Sequence, residues 1–142
     1  MPLIVGAEFQ LEDGPKLVVL CETKAGYTAL CRLITTGRRA SAKGTYRLTR
    51  ADVAGGLPGT LALWLPGRIP DVDEGRWTRT TFGDRAWLAV ELHRGPNDAK
   101  RLRDLDALSQ ALNLPMVAAG DVHMHIRRRS PCCTRSLPSA TA

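Results

Sequence analysis

Aromatic side chains are scarce in this sequence: three Trp, two Tyr and two Phe make up 5% of 142 residues. An aromatic core is thereby excluded, and Leu, Val, Ile and Ala must supply the apolar burial. Cysteine is also sparse. Cys21, Cys31, Cys132 and Cys133 form no C-x-x-C pair and no Cys/His zinc spacing, which argues against a zinc ribbon or a disulfide framework. Cys21 and Cys31 lie in apolar runs and read as small hydrophobes, whereas Cys132-Cys133 is a vicinal pair in a polar stretch; reduced thiols in a cytoplasmic protein account for all four. No apolar run reaches the roughly 18 residues of a membrane span. The opening Met1-Pro2-Leu3-Ile4-Val5-Gly6 lacks the basic n-region and the h-region of a signal peptide. A soluble cytoplasmic chain without a membrane partner is expected. Neither G-x-G-x-x-G nor G-x-x-x-x-G-K-[ST] occurs, so nucleotide-cradling loops are absent. Ser41, Ser109 and Ser130 lack the strand-turn-helix setting of an acyl-transfer nucleophile.

Hydrophobic residues at 44% and charged residues at 24% are close to globular averages, and the length suits one domain. Net charge is +6, with a pI near 9.6. The stretch 127–142 contains four arginines and no acid, so two thirds of that excess belongs to it and the body is nearly balanced. Basicity therefore does not mark the body as a sequence-specific DNA reader.

Apolar patterning predicts a strand from Leu3-Ile4-Val5 through Phe9, a turn at Asp13-Gly14-Pro15, and a buried-type strand over 16–21. Tyr27, Leu30, Cys31 and Ile34 then fall at i, i+3, i+4 and i+7, predicting a helix capped by Thr23 and ending near Gly37. A short helix is expected from Thr49-Arg50-Ala51-Asp52 to Gly55-Gly56. The run 60–65 reads as a strand stopped by Pro66. Residues 67–84 read as a loop with one helical turn near Trp77. A fourth strand covers 86–92, and Pro96 opens a helix with an apolar stripe of Ala99, Leu102, Leu105, Leu108 and Leu112 and an i,i+4 pair, Lys100 with Asp104. Residues 116–120 form the fifth strand. Strands alternating with amphipathic helices imply a parallel sheet or a barrel of βα units. Trp64, Trp77 and Trp87 read as core or lid packing, too scattered for a base-stacking platform.

In parallel α/β folds functional side chains gather at strand C-terminal ends. Glu8 follows the apolar start of the first strand, and Asp121-Val122-His123-Met124-His125 follows the last. Residues two apart in extended chain point to one side, so Asp121 with His123, or His123 with His125, can reach a common zinc or manganese. The same spacing also suits histidines that only hydrogen-bond at a strand end. His93, beside Arg94, is a third imidazole or a plain surface residue.

Several segments together resemble one family. They are Gly6-Ala7-Glu8-Phe9; Ala25-Gly26-Tyr27 through Leu30-Cys31-Arg32-Leu33-Ile34-Thr35; Lys43-Gly44 with Tyr46-Arg47-Leu48-Thr49; Trp87-Leu88-Ala89-Val90-Glu91-Leu92-His93-Arg94-Gly95-Pro96; and Ala118-Ala119-Gly120-Asp121-Val122-His123-Met124-His125. Over residues 2–129, in order, they resemble the bacterial error-prone DNA polymerases, C-family paralogues of the replicative polymerase III alpha subunit. The matching region is part of the N-terminal polymerase-and-histidinol-phosphatase (PHP) domain. The resemblance implies an α/β fold: an incomplete PHP-type, distorted TIM-like βα barrel lacking its first βα units. It further implies a context of DNA repair and translesion synthesis, with the remainder of the polymerase and DNA as partners.

Carried over by this resemblance, Glu8, Asp121 and His123 match family metal-ligand positions. The His-x-His segment and further ligands that open family domains have no counterpart here. Where the replicative subunit places a cysteine ligand after a run like Leu61-Ala62-Leu63, this chain has Trp64-Leu65-Pro66. The three residues thus read as a vestigial set that holds zinc or manganese weakly at most. No catalytic residue and no polymerase active site is expected in the chain. Residues 1–129 are expected to form the partial PHP domain. Residues 130–142, which another reading frame would turn into a family-like helix, are expected to be a disordered, out-of-frame tail. Three functions follow as alternatives: a polymerase fragment, a stand-alone metal-dependent PHP phosphoesterase, or a non-enzymatic remnant or interaction module.

Overall fold

The computed structural model of the chain describes residues 3–93 and 95–120. They form β1 (Gly6–Gln10), β2 (Lys16–Cys21), α1 (Lys24–Arg39), α2 (Arg50–Val53), β3 (Thr60–Leu65), α3 (Val72–Phe82), β4 (Ala86–Glu91), α4 (Asp98–Leu112) and β5 (Met116–Ala119), with a single 3₁₀ turn at Gly83–Arg85. The fold is mixed α/β, and the five strands make one sheet in sequence order β1-β2-β3-β4-β5.

The sheet is mixed, which corrects the expectation of parallel βα units. β1 and β2 pair antiparallel, as do β2 and β3; only β3–β4 and β4–β5 are parallel. Connection length explains the first pair. Five residues separate β1 from β2, and a parallel crossover needs a dozen or more. α3 and α4 supply such crossovers for the parallel pairs. β2 is therefore the one reversed strand, and β1, β3, β4 and β5 all end at the same rim.

Register divides the sheet into two faces. Phe9 pairs with Leu17, Leu17 with Trp64 and Trp64 with Leu88, so these residues share one face, joined by Val19, Ala62, Ala86 and Val90. That face packs with Leu30 and Leu33 of α1, Phe82 of α3, Leu105 of α4 and Leu48, Val53, Leu57 and Leu114 into one buried cluster. Trp64, Val19, Ala62, Ala86, Leu88 and Leu105 are fully shielded. The opposite face carries Val18, Leu20, Leu61, Leu63 and Trp87, all half-buried and none in that cluster.

Helix ends follow the sequence chemistry. Thr23 caps α1, its hydroxyl accepting the Gly26 amide at 3.1 Å. Thr49 and Asp52 form a capping box on α2, and Asp13 of the first turn accepts the Arg50 amide at 2.8 Å, tying the hairpin to that helix. The stretch expected to be a loop with one helical turn instead contains the eleven-residue α3. Asp71 caps it by accepting the Asp73 amide, and Asp73 and Glu74 favour its first turn. Gly75, which weakens the helical signal, sits where α3 crosses the Trp64 ring too closely for a side chain.

Candidate functional site

The rim where β3 and β4 end is also where β2 begins, so their terminal residues meet there. Lys16 opens β2, Leu65 closes β3, and Glu91 closes β4, with His93 two residues on. These residues, together with Arg68 and Arg101, line an open hollow of about 350 Å³. A second hollow of about 390 Å³, lined by Arg68, Asn97, Lys100, Arg101, Asp104 and Leu105, adjoins it through Arg68 and Arg101. Arg101 is fixed from α4 across to the end of β3: its guanidinium donates to the carbonyls of Pro66 (3.1 Å) and Gly67 (3.2 Å). Asp98 accepts the Gly95 amide at 3.1 Å, folding the segment before α4 back on itself.

Glu8 is the middle residue of β1, not a residue beyond its end. It faces the open side of the sheet with Lys16, and the two form an ion pair of 2.8 Å with side chains about two-fifths exposed. The Glu8 carboxylate is thus already balanced by an ammonium group, a pairing worth at most about 1 kcal/mol at such exposure. Asp121 and His123 lie outside the described residues, as do His125, Arg94 and the whole stretch 130–142. Among the described residues no three His, Cys, Asp or Glu side chains gather closely enough to hold a metal. His93 is an exposed residue on the rim. β1 and β5 are the two edges of the described sheet. Four strand spacings of about 4.8 Å separate them along its surface.

Sequence reasoning missed the two adjoining hollows. Lys100 and Asp104 were expected to form an ion pair; no such pair is present among the described residues, and both instead line the second hollow. The available signal was positional: Arg68 follows Pro66-Gly67 immediately beyond a strand end, where α/β folds place ligands.

Cys21 and Cys31 are free thiols, half-buried as expected of small hydrophobes. Burial, and secondarily the neighbouring Cys31, pushes the Cys21 thiol above its ordinary 9.0. None of the described helices is long and apolar enough to cross a membrane.

No family model matches the chain. Individual relatives do. Over 129 residues the chain is 54% identical to the error-prone DNA polymerase of Pseudomonas fluorescens, a match covering 91% of this chain. Its identity to the error-prone DNA polymerase of Pseudomonas paraeruginosa is 56% over 129 residues, and to that of Xanthomonas oryzae pv. oryzae 53% over 130, each covering 89% of this chain. The chain is similar to one stretch of the error-prone DNA polymerases. It spans 12–13% of the length of the curated relatives it matches.

Proposed function

We propose that this chain is a piece of the N-terminal PHP domain of an error-prone, translesion DNA-directed DNA polymerase, and that nucleotidyl transfer resides in other parts of such a polymerase. The carrying observation is identity above 50% along nine tenths of the chain against an eighth of each relative. The fold supports the reading: a mixed sheet with two parallel βα crossovers is compatible with one sector of a distorted βα barrel. In that barrel the uncovered face with Val18, Leu20, Leu61, Leu63 and Trp87 would look inward. On a primed template with the four deoxynucleoside triphosphates, the isolated chain should extend no primer. Extension by the chain alone, unaffected by further purification, would overturn the proposal.

Within this reading Glu8, Asp121 and His123 are the chain's share of a metal cluster. When bound, zinc or manganese would supply Lewis-acid activation of water for phosphoester hydrolysis. Glu8 fits such a set poorly, because Lys16 already neutralises its carboxylate. Metal loading must displace that ammonium group, a small cost beside the absence of the further family ligands, so zinc or manganese should be held weakly and generic phosphodiester hydrolysis should stay at background. Equilibrium dialysis with metal analysis on the wild type and His123→Ala tests this. Stoichiometric tight metal together with His123-dependent hydrolysis would replace the fragment reading with a stand-alone phosphoesterase.

A further inference from the structure

We propose that the free edge of β1 pairs antiparallel with the same edge of a second copy of this chain, joining two sheets across a two-fold axis at Gly6. Backbone direction defines the edge. The Cys21 amide donates to the Val5 carbonyl, and in the register of β1 on β2 the backbone groups of Val5, Ala7 and Phe9 turn toward β2. Those of Ile4, Gly6 and Glu8 therefore turn outward. The outward ladder has a stop at each end. The Gln10 amide is already used by the Tyr46 hydroxyl at 2.9 Å, and residue 2 is proline, which carries no amide. Residues 2 and 10 thus both lack a free donor, and the midpoint between them is Gly6. A strand laid against its own copy about that midpoint sets Gly6 opposite Gly6 and Ile4 opposite Glu8, and each facing pair exchanges two hydrogen bonds.

Side chains agree with this register. In extended chain Leu3, Val5 and Ala7 share the helix-covered side with Phe9, so Leu3 meets Phe9 of the second copy and Val5 meets its Ala7. The exposed Leu3 thereby comes beside Tyr46, whose ring stands edge-on to Phe9 and is itself exposed. Charges of one sign do not meet: each Glu8 faces an isoleucine across the axis, and its own Lys16 already balances it. A two-fold axis makes every one of these contacts twice, which selects a second copy over an unrelated strand. The contact is narrow, so the dimer belongs to the weak class that dissociates on dilution. It rests on the β1 edge and not on the polymerase reading.

The test is sedimentation equilibrium of the full chain from about 1 μM to about 1 mM, joined to residue-resolved amide exchange at both extremes. A monomer–dimer equilibrium is expected. At high concentration the Ile4, Gly6 and Glu8 amides should exchange at least about fivefold more slowly, while those of Ala7 and Phe9, already turned to β2, stay unchanged. Ile4→Pro removes one outward donor from each copy without removing a bond between β1 and β2, and should weaken the dimer at least about tenfold. Leu3→Asp should weaken it about fivefold or more. Ile69→Asp, the control at an exposed apolar residue elsewhere, should change it less than about twofold. A monomer at every concentration, association beyond the dimer, or a dimer indifferent to Ile4→Pro would overturn the proposal. So would a dimer whose Ile4, Gly6 and Glu8 amides keep their monomer exchange rates, which would mark the open sheet face around Trp87 as the joining surface. The primer-extension and metal assays decide the fragment reading separately, so either can fail alone.

Discussion

Gly75 packs against the buried Trp64 ring, leaving no room for a methyl group: a Cβ would come within 2.5 Å of the ring and collide with Leu112. Alanine gains about 1 kcal/mol in helix propensity, but Trp64 is fully buried in a close-packed cluster and cannot yield. Gly75→Ala should therefore lose about 1–2 kcal/mol net in a chemical denaturation curve, by overpacking. Arg85 carries a second local constraint. Its guanidinium donates to the carbonyls of Gly56 (2.8 Å), Leu57 (3.0 Å) and Thr60 (2.6 Å), closing the turn that feeds β3. That turn contains Leu57 at φ 39° and Gly59 at φ 77°, left-handed conformations that need such support. Arg85→Ala should cost about 2–3 kcal/mol, with Arg85→Lys recovering only part because one ammonium cannot span three carbonyls. At Cys21 the folded state holds the thiol proton more tightly than the unfolded chain does. The stability it contributes is intact below pH 9.0 and is lost as pH rises past that value. The melting temperature should fall more steeply as pH rises above 9.0 in the wild type than in Cys21→Ala.

At the scale of elements, strands were the most legible part of the sequence. Each of the five observed strands lies within or overlaps a run of apolar residues bounded by Gly, Pro or Asp, because strand burial needs only a short apolar segment and a turn. Strand direction was not legible, since it is set by connection length and packing. α1 was found with its Thr23 cap, yet its buried line is Gly26, Leu30, Leu33 and Gly37, while Tyr27 stays half exposed. Gly26 and Gly37 have no apolar side chain to betray them; α1 is pressed so close to Gly59 and Leu48 that only glycine fits. In α4 only Leu105 of the expected stripe is fully buried, and Leu102 is 41% exposed. Leu108 and Leu112 pack against the core while only partly buried. α3 was hidden by Gly75 and by its charged, Thr-rich outer surface. Glu8 stood out twice, as a carboxylate in the first strand and through the family resemblance, but its pairing with Lys16 was not legible, because it depends on the register of β1 on β2. The hollows around Arg68 and Arg101 come from the packing of α4 onto the end of β3, which no linear pattern records. Because Thr23 both caps α1 and abuts Gly59, Thr23→Ala should lower stability by about 1 kcal/mol or slightly more, read as a shift of the urea midpoint at unchanged slope.

At the scale of the whole molecule, the described residues make one finished face and one unfinished one. Helices cover the side of Phe9, Trp64 and Leu88, whereas Val18, Leu63 and Trp87, aligned across three neighbouring strands, stay half-buried on the other. Leu3 and Ile4 add apolar surface beside the β1 edge, at 86% and 70% exposure. A monomeric protein rarely leaves so continuous an apolar surface to water. In the register of β1, the Gln10 amide points away from β2 and donates to the Tyr46 hydroxyl at 2.9 Å, while Val5 points its carbonyl toward Cys21. By alternation, the backbone groups of Gly6 and Glu8 also point away from β2, where a further strand can pair. A chain that corresponds to an eighth of its relatives fits this picture: the larger polymerase would supply what covers the sheet. The stretch 130–142, expected to contribute no packing, should be removable without change in melting temperature. The most direct test of the central claim is the fluorescence of an anilinonaphthalene sulfonate dye added to the purified full-length chain under native conditions. An enhanced, blue-shifted emission that disappears on full unfolding in urea is the predicted result. Emission indistinguishable from that of the dye in buffer would contradict an uncovered apolar sheet face, and with it the reading of this chain as one sector of a larger barrel.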